Sequence, residues 1–154
     1  MKKLLLSGFV LVAGMGLGVV LANQHVPGHD VVLPAKIDKE DISGRIFERP
    51  DTVTRTRSGN TIQDVTSLLS SDKKFASGMY KSGKVRFEAT EPYGVDEFMY
   101  FVEGGVSLTS TDGSVLEINA GEAVTIPKEW TGVWDTDGYT KIWVIYSEDG
   151  SGLE

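Results

Sequence analysis

The chain has 154 residues, no cysteine and a formal net charge of −7. This length predicts one globular domain with a short N-terminal extension. The absence of cysteine excludes disulfide bonds, so the core alone must stabilise the fold. The acidic charge argues against a nucleic-acid partner, because the phosphate backbone would be repelled.

Residues 1–22 have the pattern of a secretory signal peptide. Lys2 and Lys3 precede an apolar run that reaches Leu21, and the small residue Ala22 follows. We expect cleavage after Ala22 and a periplasmic or secreted mature protein without a membrane contact. An uncleaved membrane anchor is the alternative, since about 18 apolar residues can just span a bilayer. Four glycines in the run and the lack of a following basic cluster favour cleavage.

Cleavage after Ala22 would leave a mature N-terminus that begins Asn23-Gln24-His25. The free α-amine, two backbone amide nitrogens and the His25 imidazole can form the square-planar nitrogen site that copper(II) and nickel(II) prefer. The alternative, which we favour, is that a tolerant polar terminus carries His25 and His29 without a function. The terminal metal site is therefore a hypothesis that concerns the arm and not the domain.

Residues 23–71 are predicted to form an N-terminal arm that ends in a hairpin. The first part is polar and is interrupted by Pro27, Pro34 and Pro50, which is typical of an irregular segment. The stretch "TVTRTRSGNTIQDVTSLL" then alternates polar and apolar residues around a turn at residues 58–60, which indicates a β-hairpin.

Residues 72–147 are predicted to form an antiparallel sandwich or barrel. Seven short runs rich in Val, Ile, Phe, Tyr and Thr recur there, and turn pairs separate them. These pairs include Tyr93-Gly94, Gly104-Gly105, Asp112-Gly113 and Asp137-Gly138. Residues 148–154 are expected to be a flexible tail.

Three segments of this region, "DEFMYFVEGGVSLTSTDG", "GEAVTIPKEWTGVW" and "KIWVIY", resemble single-barrel cupins of the ureidoglycine aminohydrolase and ethanolamine-utilisation type. Glu97 and Gly104 meet the E-x6-G end of the first cupin motif, and Gly121 and Pro127 meet the G-x5-P start of the second. The resemblance implies an all-β, RmlC-like barrel or jelly roll and, by analogy, a homodimer. The glycines and the proline are themselves explained by turns and strand ends.

The metal-binding histidines of the cupin motifs are missing from this chain. The first pair falls on Glu91 and Tyr93, or on Thr90 and Pro92, and the last histidine falls on Gly132. Glu97, even with help from Glu91, lacks the imidazoles that hold first-row transition metals. We therefore expect no metal and no other cofactor inside the barrel.

Aromatic side chains are expected to fill the space that the histidines leave. If Glu97 points inward, Met99 and Phe101 share its face of the strand. Trp134 lies two residues beyond Gly132 and is large enough to occupy the place of the missing ligand. The expected pocket surrounds Glu97 with Phe87, Tyr93, Met99 and Trp134. Ordinary core packing is the alternative for each aromatic residue, whereas a buried carboxylate needs a partner or a proton.

Two classes of function fit these residues. The first is a non-catalytic module that binds a small molecule through Phe87, Glu91, Met99 and Trp134. The second is a metal-independent enzyme for a small polar substrate, with Glu97 as general acid or base and Tyr93 as a hydrogen-bond donor. The resemblance implies amide or amine chemistry for the second class. No nucleophile with an adjacent base and no phosphate-binding loop is recognisable in the sequence, which favours binding.

Overall fold

An antiparallel sheet of eight strands dominates residues 31–153, which are the residues that the computed structural model describes. The strands are β1 (Val53–Arg57), β2 (Asn60–Leu69), β3 (Phe75–Ser82), β4 (Val85–Ala89), β5 (Asp96–Ser110), β6 (Val115–Asn119), β7 (Ala123–Ile126) and β8 (Gly132–Tyr146). The proposed signal peptide and the proposed terminal metal ligands Asn23, Gln24 and His25 lie outside the described residues. Within residues 31–153, no helix has the length and apolarity that a membrane span requires.

The strand order is β1-β2-β3-β8-β5-β6, while β4 also pairs with β8 and β7 also pairs with β5. β5 and β8 are paired along nearly their whole length, and each changes its second neighbour halfway. β8 pairs with β4 through residues 132–136 and with β3 through residues 139–146. Two register shifts in β5, at Phe101/Glu103 and Gly105/Ser107, lie in the region where the second neighbour of β5 changes from β7 to β6. Because bulges bend a strand, the sheet curls and encloses a space on its inner face.

A close approach of two glycines permits this bend. Gly104 of β5 has a φ of 67°, and a Cβ atom there would lie 2.0 Å from the carbonyl oxygen of Gly138 in β8. Only glycine allows both the positive φ and the backbone contact. The "EGG" of the first motif therefore supplies the bend, and the motif has a structural explanation.

Alternation along β5 separates the inner face from the outer face, as the sequence predicts. Met99 and Phe101 are fully buried with Glu97, whereas Phe98 and Tyr100 are 43% and 39% exposed. The inner core also includes Val106, Leu108, Ile118, Ile126, Trp134 and Tyr139. The period of two thus places the inward-facing residues of β5 correctly.

The segment of residues 37–48 packs on the outer face of the sheet. Its helix α1 (Lys39–Ile42) begins with a capping box in which Asp38 and Asp41 each accept a hydrogen bond from the other's backbone N–H. A 3-10 helix (Arg45–Glu48) follows, and its Ile46 is buried with Val65 and Met79. Residues 34–153 belong to one compact unit, while residues 31–33 belong to a separate N-terminal unit and are exposed there.

The segments on both sides of the predicted barrel contribute to the sheet or to the cavity wall. β1 and β2 form the expected hairpin, but β2 also pairs with β3, so the hairpin extends the sheet. At the C-terminus, the Ser147 hydroxyl donates a 2.6 Å hydrogen bond to the Ser151 carbonyl oxygen and forms a turn. This turn brings Leu153 to the edge of the inner cavity.

Candidate functional site

A cavity of about 630 Å³ lies on the inner face of the curled sheet. Its wall combines aromatic side chains with a few charged ones, and it is built from six strands, two loops and the C-terminal turn. The main wall residues are Arg55, Asp64, Thr66, Ala76, Tyr80, Phe87, Tyr93, Glu97, Trp134, Tyr139, Lys141, Trp143 and Leu153. A concave site with this mixture is typical of small-molecule binding.

Strand register brings the acidic and basic groups of the wall together. Lys141 of β8 lies beside Tyr80 of β3, and Tyr80 lies opposite Asp64 of β2. On β5, Glu97 is two residues before Met99, which is itself opposite Trp143. The Lys141 side chain extends along this face past Met99, whose sulfur is 2.9 Å from the ammonium nitrogen. The long lysine chain therefore spans two rows of the sheet and reaches Glu97.

Glu97 and Lys141 form a buried ion pair. The Lys141 Nζ lies 2.7 Å from Glu97 Oε1, and the two side chains are 4% and 6% exposed, Glu97 first. The other carboxylate oxygen, Oε2, accepts a 2.5 Å hydrogen bond from the Tyr93 hydroxyl. Both oxygens of Glu97 therefore have a partner, as a buried carboxylate requires.

Three aromatic rings surround the Lys141 ammonium group. The nitrogen lies 5.5 Å from the ring centres of Tyr80 and Trp134 and 5.8 Å from that of Tyr139. These distances allow cation–π attraction. We call Tyr80, Trp134 and Tyr139 the aromatic cage, and its cation is a side chain of the protein itself.

The tyrosines of the wall are held in their protonated form. Burial is the main cause that raises the pKa of Tyr93, and the negative charge of Glu97 raises it further. Burial likewise raises the pKa of Tyr139 well above its ordinary value, and that of Tyr80 as well. Tyr93 is therefore a stable hydrogen-bond donor to Glu97.

Three buried polar atoms of the wall have no hydrogen-bond partner among the described residues. They are the indole nitrogens of Trp134 and Trp143 and the Oδ1 atom of Asp64. Burial raises the pKa of Asp64, while a hydrogen-bonding interaction with the Trp143 side chain and the Lys141 charge oppose that rise. Buried polar groups normally have partners, and the Trp143 indole close to Asp64 is the nearest candidate for that carboxyl group.

Most of the residues predicted for the site line the cavity. Phe87, Tyr93, Glu97 and Trp134 all form part of the wall, and Phe87 stacks on Trp134 with ring centres 5.9 Å apart. Met99 lies beneath the ion pair through its contact with Lys141.

Glu91 does not join the other predicted site residues. It is exposed and is not a wall residue of the cavity, so the structure does not bring it to Glu97. The partner of Glu97 is instead Lys141, because β8 lies next to β5 in the sheet.

Sequence reasoning missed Lys141, although a signal for it exists. In "YTKIWVIY", Lys141 alternates with Tyr139 and Trp143, and a strict period of two from either aromatic residue places it inside. A lysine in a strand is normally read as an outward residue, so the signal conflicts with the residue type.

The residues at this site do not fit a cupin metal. Glu97 already engages Lys141 and Tyr93, and Glu91 is exposed and does not line the cavity. At Gly132, even a Cβ atom would lie 2.3 Å from the Thr109 carbonyl oxygen, so no histidine side chain would be accommodated there without a backbone shift. Across residues 31–153, no group of three His, Cys, Asp or Glu side chains is arranged to hold an ion.

Family comparison decides what this architecture is. Residues 69–141 match the family model described as the EutQ-like cupin domain. This part of the chain is a EutQ-like cupin domain. The predicted resemblance to cupins of the ethanolamine-utilisation type is thus confirmed. No curated protein matches the chain in sequence at a significant level.

Solved structures share the cupin fold with this domain. The Clostridium difficile EutQ protein superposes with a TM-score of 0.51 at 21% identity, over 62% of this chain and 77% of that one. A Pseudomonas syringae pv. tomato protein of unknown function gives 0.56 at 16% identity, over 61% of this chain but only 43% of its own. Ectoine synthase from P. lautus gives 0.52 at 14% identity, over 66% and 72%. At these identities, the likeness concerns the fold alone.

Proposed function

We propose that this EutQ-like cupin domain binds a small organic molecule in its cavity and does so without a metal. The observation that carries the proposal is the cavity of about 630 Å³ whose wall combines aromatic faces with polar atoms of residues such as Asp64, Glu97 and Lys141. Its volume falls within the roughly 300–1,000 Å³ of typical ligand sites. Aromatic faces would supply contact area, and the polar atoms would fix the orientation of the ligand.

The Glu97–Lys141 ion pair forms a fixed polar part of the cavity wall. Glu97 contacts Tyr93 and Lys141, and Lys141 is held by the aromatic cage. Because every one of these groups already has a partner, they are preorganised rather than waiting for a ligand to order them. A ligand would then lose little free energy to the ordering of these side chains.

Blocking the cavity tests the binding proposal. Thr66 is an exposed residue at the cavity wall, so Thr66→Trp is expected to fill the entrance without a change in the core. Thr125→Trp is the matched control, since Thr125 is an exposed strand residue that does not line the cavity. Ligand-observed NMR with a mixture of small aromatic amides, carboxylates and amines measures binding. We expect saturation transfer in the wild type and in Thr125→Trp, and its loss in Thr66→Trp. Equal signals in both variants, or none in the wild type, would contradict binding in this cavity.

Metal-independent acid–base catalysis is a second candidate function, and one specific observation favours it. The Tyr93 hydroxyl, the Glu97 carboxylate and the Lys141 ammonium form a continuous chain of proton-carrying groups on the cavity wall, with distances of 2.5 and 2.7 Å. Such a chain can move a proton to or from a bound substrate. Since both Glu97 oxygens are engaged, a substrate would have to displace Tyr93 before Glu97 could act as a base.

Glu97→Gln separates the two functions. If the domain is a catalyst for amides or amines, this variant is expected to lose turnover while it retains substrate binding. Turnover that is unchanged in Glu97→Gln would exclude the acid–base role. If the domain only binds, no turnover is expected in either protein, and the variant changes affinity alone.

The N-terminal pattern supports a further part of the proposal, namely that binding takes place outside the cytoplasm. Lys2, Lys3 and the apolar run to Leu21 are typical of an exported protein. Fractionation of cells that express the full chain, with N-terminal sequencing of the product, tests both export and cleavage after Ala22.

A further inference from the structure

Arg55 is a basic residue of the cavity wall that makes no ion pair within residues 31–153, and its side chain is exposed. The other basic residue of the wall, Lys141, is paired with Glu97 at 2.7 Å. The acidic wall residue Asp51 is paired with Arg49, which lies outside the wall. A ligand can therefore reach the Arg55 guanidinium group without breaking an ion pair.

The β1–β2 hairpin directs Arg55 into the cavity. Val53 and Arg55 share one face of β1, and both line the cavity. Thr56 lies on the opposite face, where its hydroxyl is 2.9 Å from that of Thr61. β1 is the edge strand of the sheet and all of its residues are exposed. Arg55 thus lies at a solvent-accessible border of the cavity.

Asp64 is the negative group that would compete with a bound anion for Arg55. The two residues are diagonal neighbours in the hairpin, since Arg55 lies opposite Ile62 and Asp64 lies opposite Val53. Burial has the largest effect on the pKa of Asp64 and raises it, while the Arg55 charge is a smaller opposing influence. Because burial disfavours the ionised form of Asp64, this carboxyl group only partly offsets the positive charge of Arg55.

Apolar side chains with exposed surface line the same cavity. Val53, Leu69 and Phe87 are 43%, 41% and 42% exposed, and all three are wall residues. Their surface is available to the apolar part of a ligand. Val53 is two residues from Arg55 on the same face of β1, so apolar surface and positive charge adjoin. This wall favours a ligand that joins an apolar body to an anionic group.

We propose that the cavity binds an organic carboxylate with an apolar body, and that Arg55 binds its carboxylate group. This inference rests on the proposed binding function and names the class of ligand. A guanidinium group can donate two parallel hydrogen bonds to a carboxylate. One negative charge matches the one positive charge that has no ion pair. A phosphate dianion would bring a second negative charge toward Asp64 and Glu97, which is unfavourable.

Four probes separate the role of the charge from that of the apolar contact. Phenylacetate carries both features, phenylacetamide keeps the apolar body without the charge, and acetate keeps the charge without the body. Benzyl phosphate replaces the carboxylate by a phosphate. Calorimetric titration of each probe into the purified protein measures affinity. We expect phenylacetate to bind at least about tenfold more tightly than each of the other three probes.

Two variants of β1 assign this preference to one residue. Arg55→Met is expected to weaken phenylacetate binding by about tenfold and to leave phenylacetamide binding unchanged, which shows that the cavity is intact. Arg57→Met is the matched control, because Arg57 is an exposed arginine of the same strand that does not line the cavity. It is expected to retain the preference for phenylacetate. Arg55→Lys, which keeps the charge but loses the planar guanidinium group, is expected to retain part of it.

Several outcomes would overturn this inference. They are equal affinity of the wild type for phenylacetate and phenylacetamide, tighter binding of benzyl phosphate, an equal loss in Arg55→Met and Arg57→Met, or no binding of phenylacetate at all. The proposed binding function is decided separately, by whether saturation transfer to any ligand of the mixture is lost in Thr66→Trp and kept in Thr125→Trp. A failure of the carboxylate preference is thereby distinguished from a failure of binding.

Discussion

Gly78 of β3 lies directly opposite Trp143 of β8, and the indole ring covers the glycine backbone. A Cβ atom on Gly78 would lie 2.7 Å from Cζ2 of the ring and 2.0 Å from the carbonyl oxygen of Val65. Because Gly78 has no side chain, the Trp143 ring packs directly on the backbone of β3. In this position Trp143 lines the cavity. The position of the Trp143 side chain in the cavity wall depends on this contact.

Gly78→Ala is therefore expected to destabilise the domain. Overpacking of a tight core costs about 1–3 kcal/mol and sometimes more, and the backbone oxygen of Val65 cannot move as a side chain can. Gly83→Ala is the comparison, because the nearest atom there is the Asn60 side-chain oxygen at 2.8 Å, and its displacement would cost a hydrogen bond with the Gly83 N–H without moving a strand backbone. Urea unfolding measures both variants. A smaller loss in Gly78→Ala than in Gly83→Ala would show that the Gly78 contact is not restrictive.

The Glu97–Lys141 pair is expected to behave as a coupled unit. Lys141→Met or Glu97→Gln alone leaves a buried group without its partner and should cost about 3–5 kcal/mol of unfolding free energy. The double variant should cost clearly less than the sum of the two. The exposed pair Lys84–Asp137, with side chains that are 79% and 89% exposed, provides the control, and Lys84→Met should leave the free energy of unfolding almost unchanged. Additive losses for Glu97 and Lys141 would mean that they do not interact.

Asp64 is expected to reduce stability at neutral pH. Burial raises its pKa above the ordinary value of 3.8, so the folded state binds more protons than the unfolded chain between 3.8 and the raised value. Stability then falls as the pH rises through this window. Asp64→Asn should be more stable than the wild type at pH 7, and the difference should disappear as the pH falls toward 3.8. Glu117→Gln, at an exposed position of β6, controls for the loss of one charge. A gain that is the same at both pH values would contradict this account.

Alkaline pH should unfold the domain through its buried tyrosines. The pKa values of Tyr80, Tyr93 and Tyr139 lie above the ordinary 10.0, mainly because these side chains are buried. Above about pH 10 the unfolded chain loses these protons while the fold retains them, so the stability present below pH 10 is lost as the pH rises. Phenolate absorbance during an alkaline titration measures this. Fewer than the five tyrosines of the chain should ionise before unfolding, whereas all five should ionise together in urea. Ionisation of all five with the fold intact would contradict the burial of these groups.

The local features of the fold could be predicted from the sequence. Alternation in "EFMYFVEG" placed Glu97, Met99 and Phe101 on the inner face, and turn residues separated the strands, because both signals depend on neighbours in the chain. The short helix α1 was missed. Its capping box lies in the charged "KIDKED", and four residues are too few for a helical period to appear.

The partners within the site could not be predicted in the same way. Glu97 and Lys141 are 44 residues apart in the chain, and only the pairing of β5 with β8 brings them together. The sequence showed that a buried Glu97 needed a partner but not which one. Glu91 was selected because it falls on a histidine position of the first cupin motif, but in this fold the residue is exposed and lies outside the cavity wall.

The position of β8 determines the order in which the domain can fold. This strand lies between β3 and β5 and also pairs with β4, so it joins three strands that precede it in the chain. Until β8 has been synthesised, β3 and β4 both lack a neighbour and expose unpaired edges. Sheets with such distant pairings form slowly, and exposed edges favour aggregation during that time. A nascent chain of this protein therefore needs protection until residue 146 is available, whichever side of the membrane it folds on.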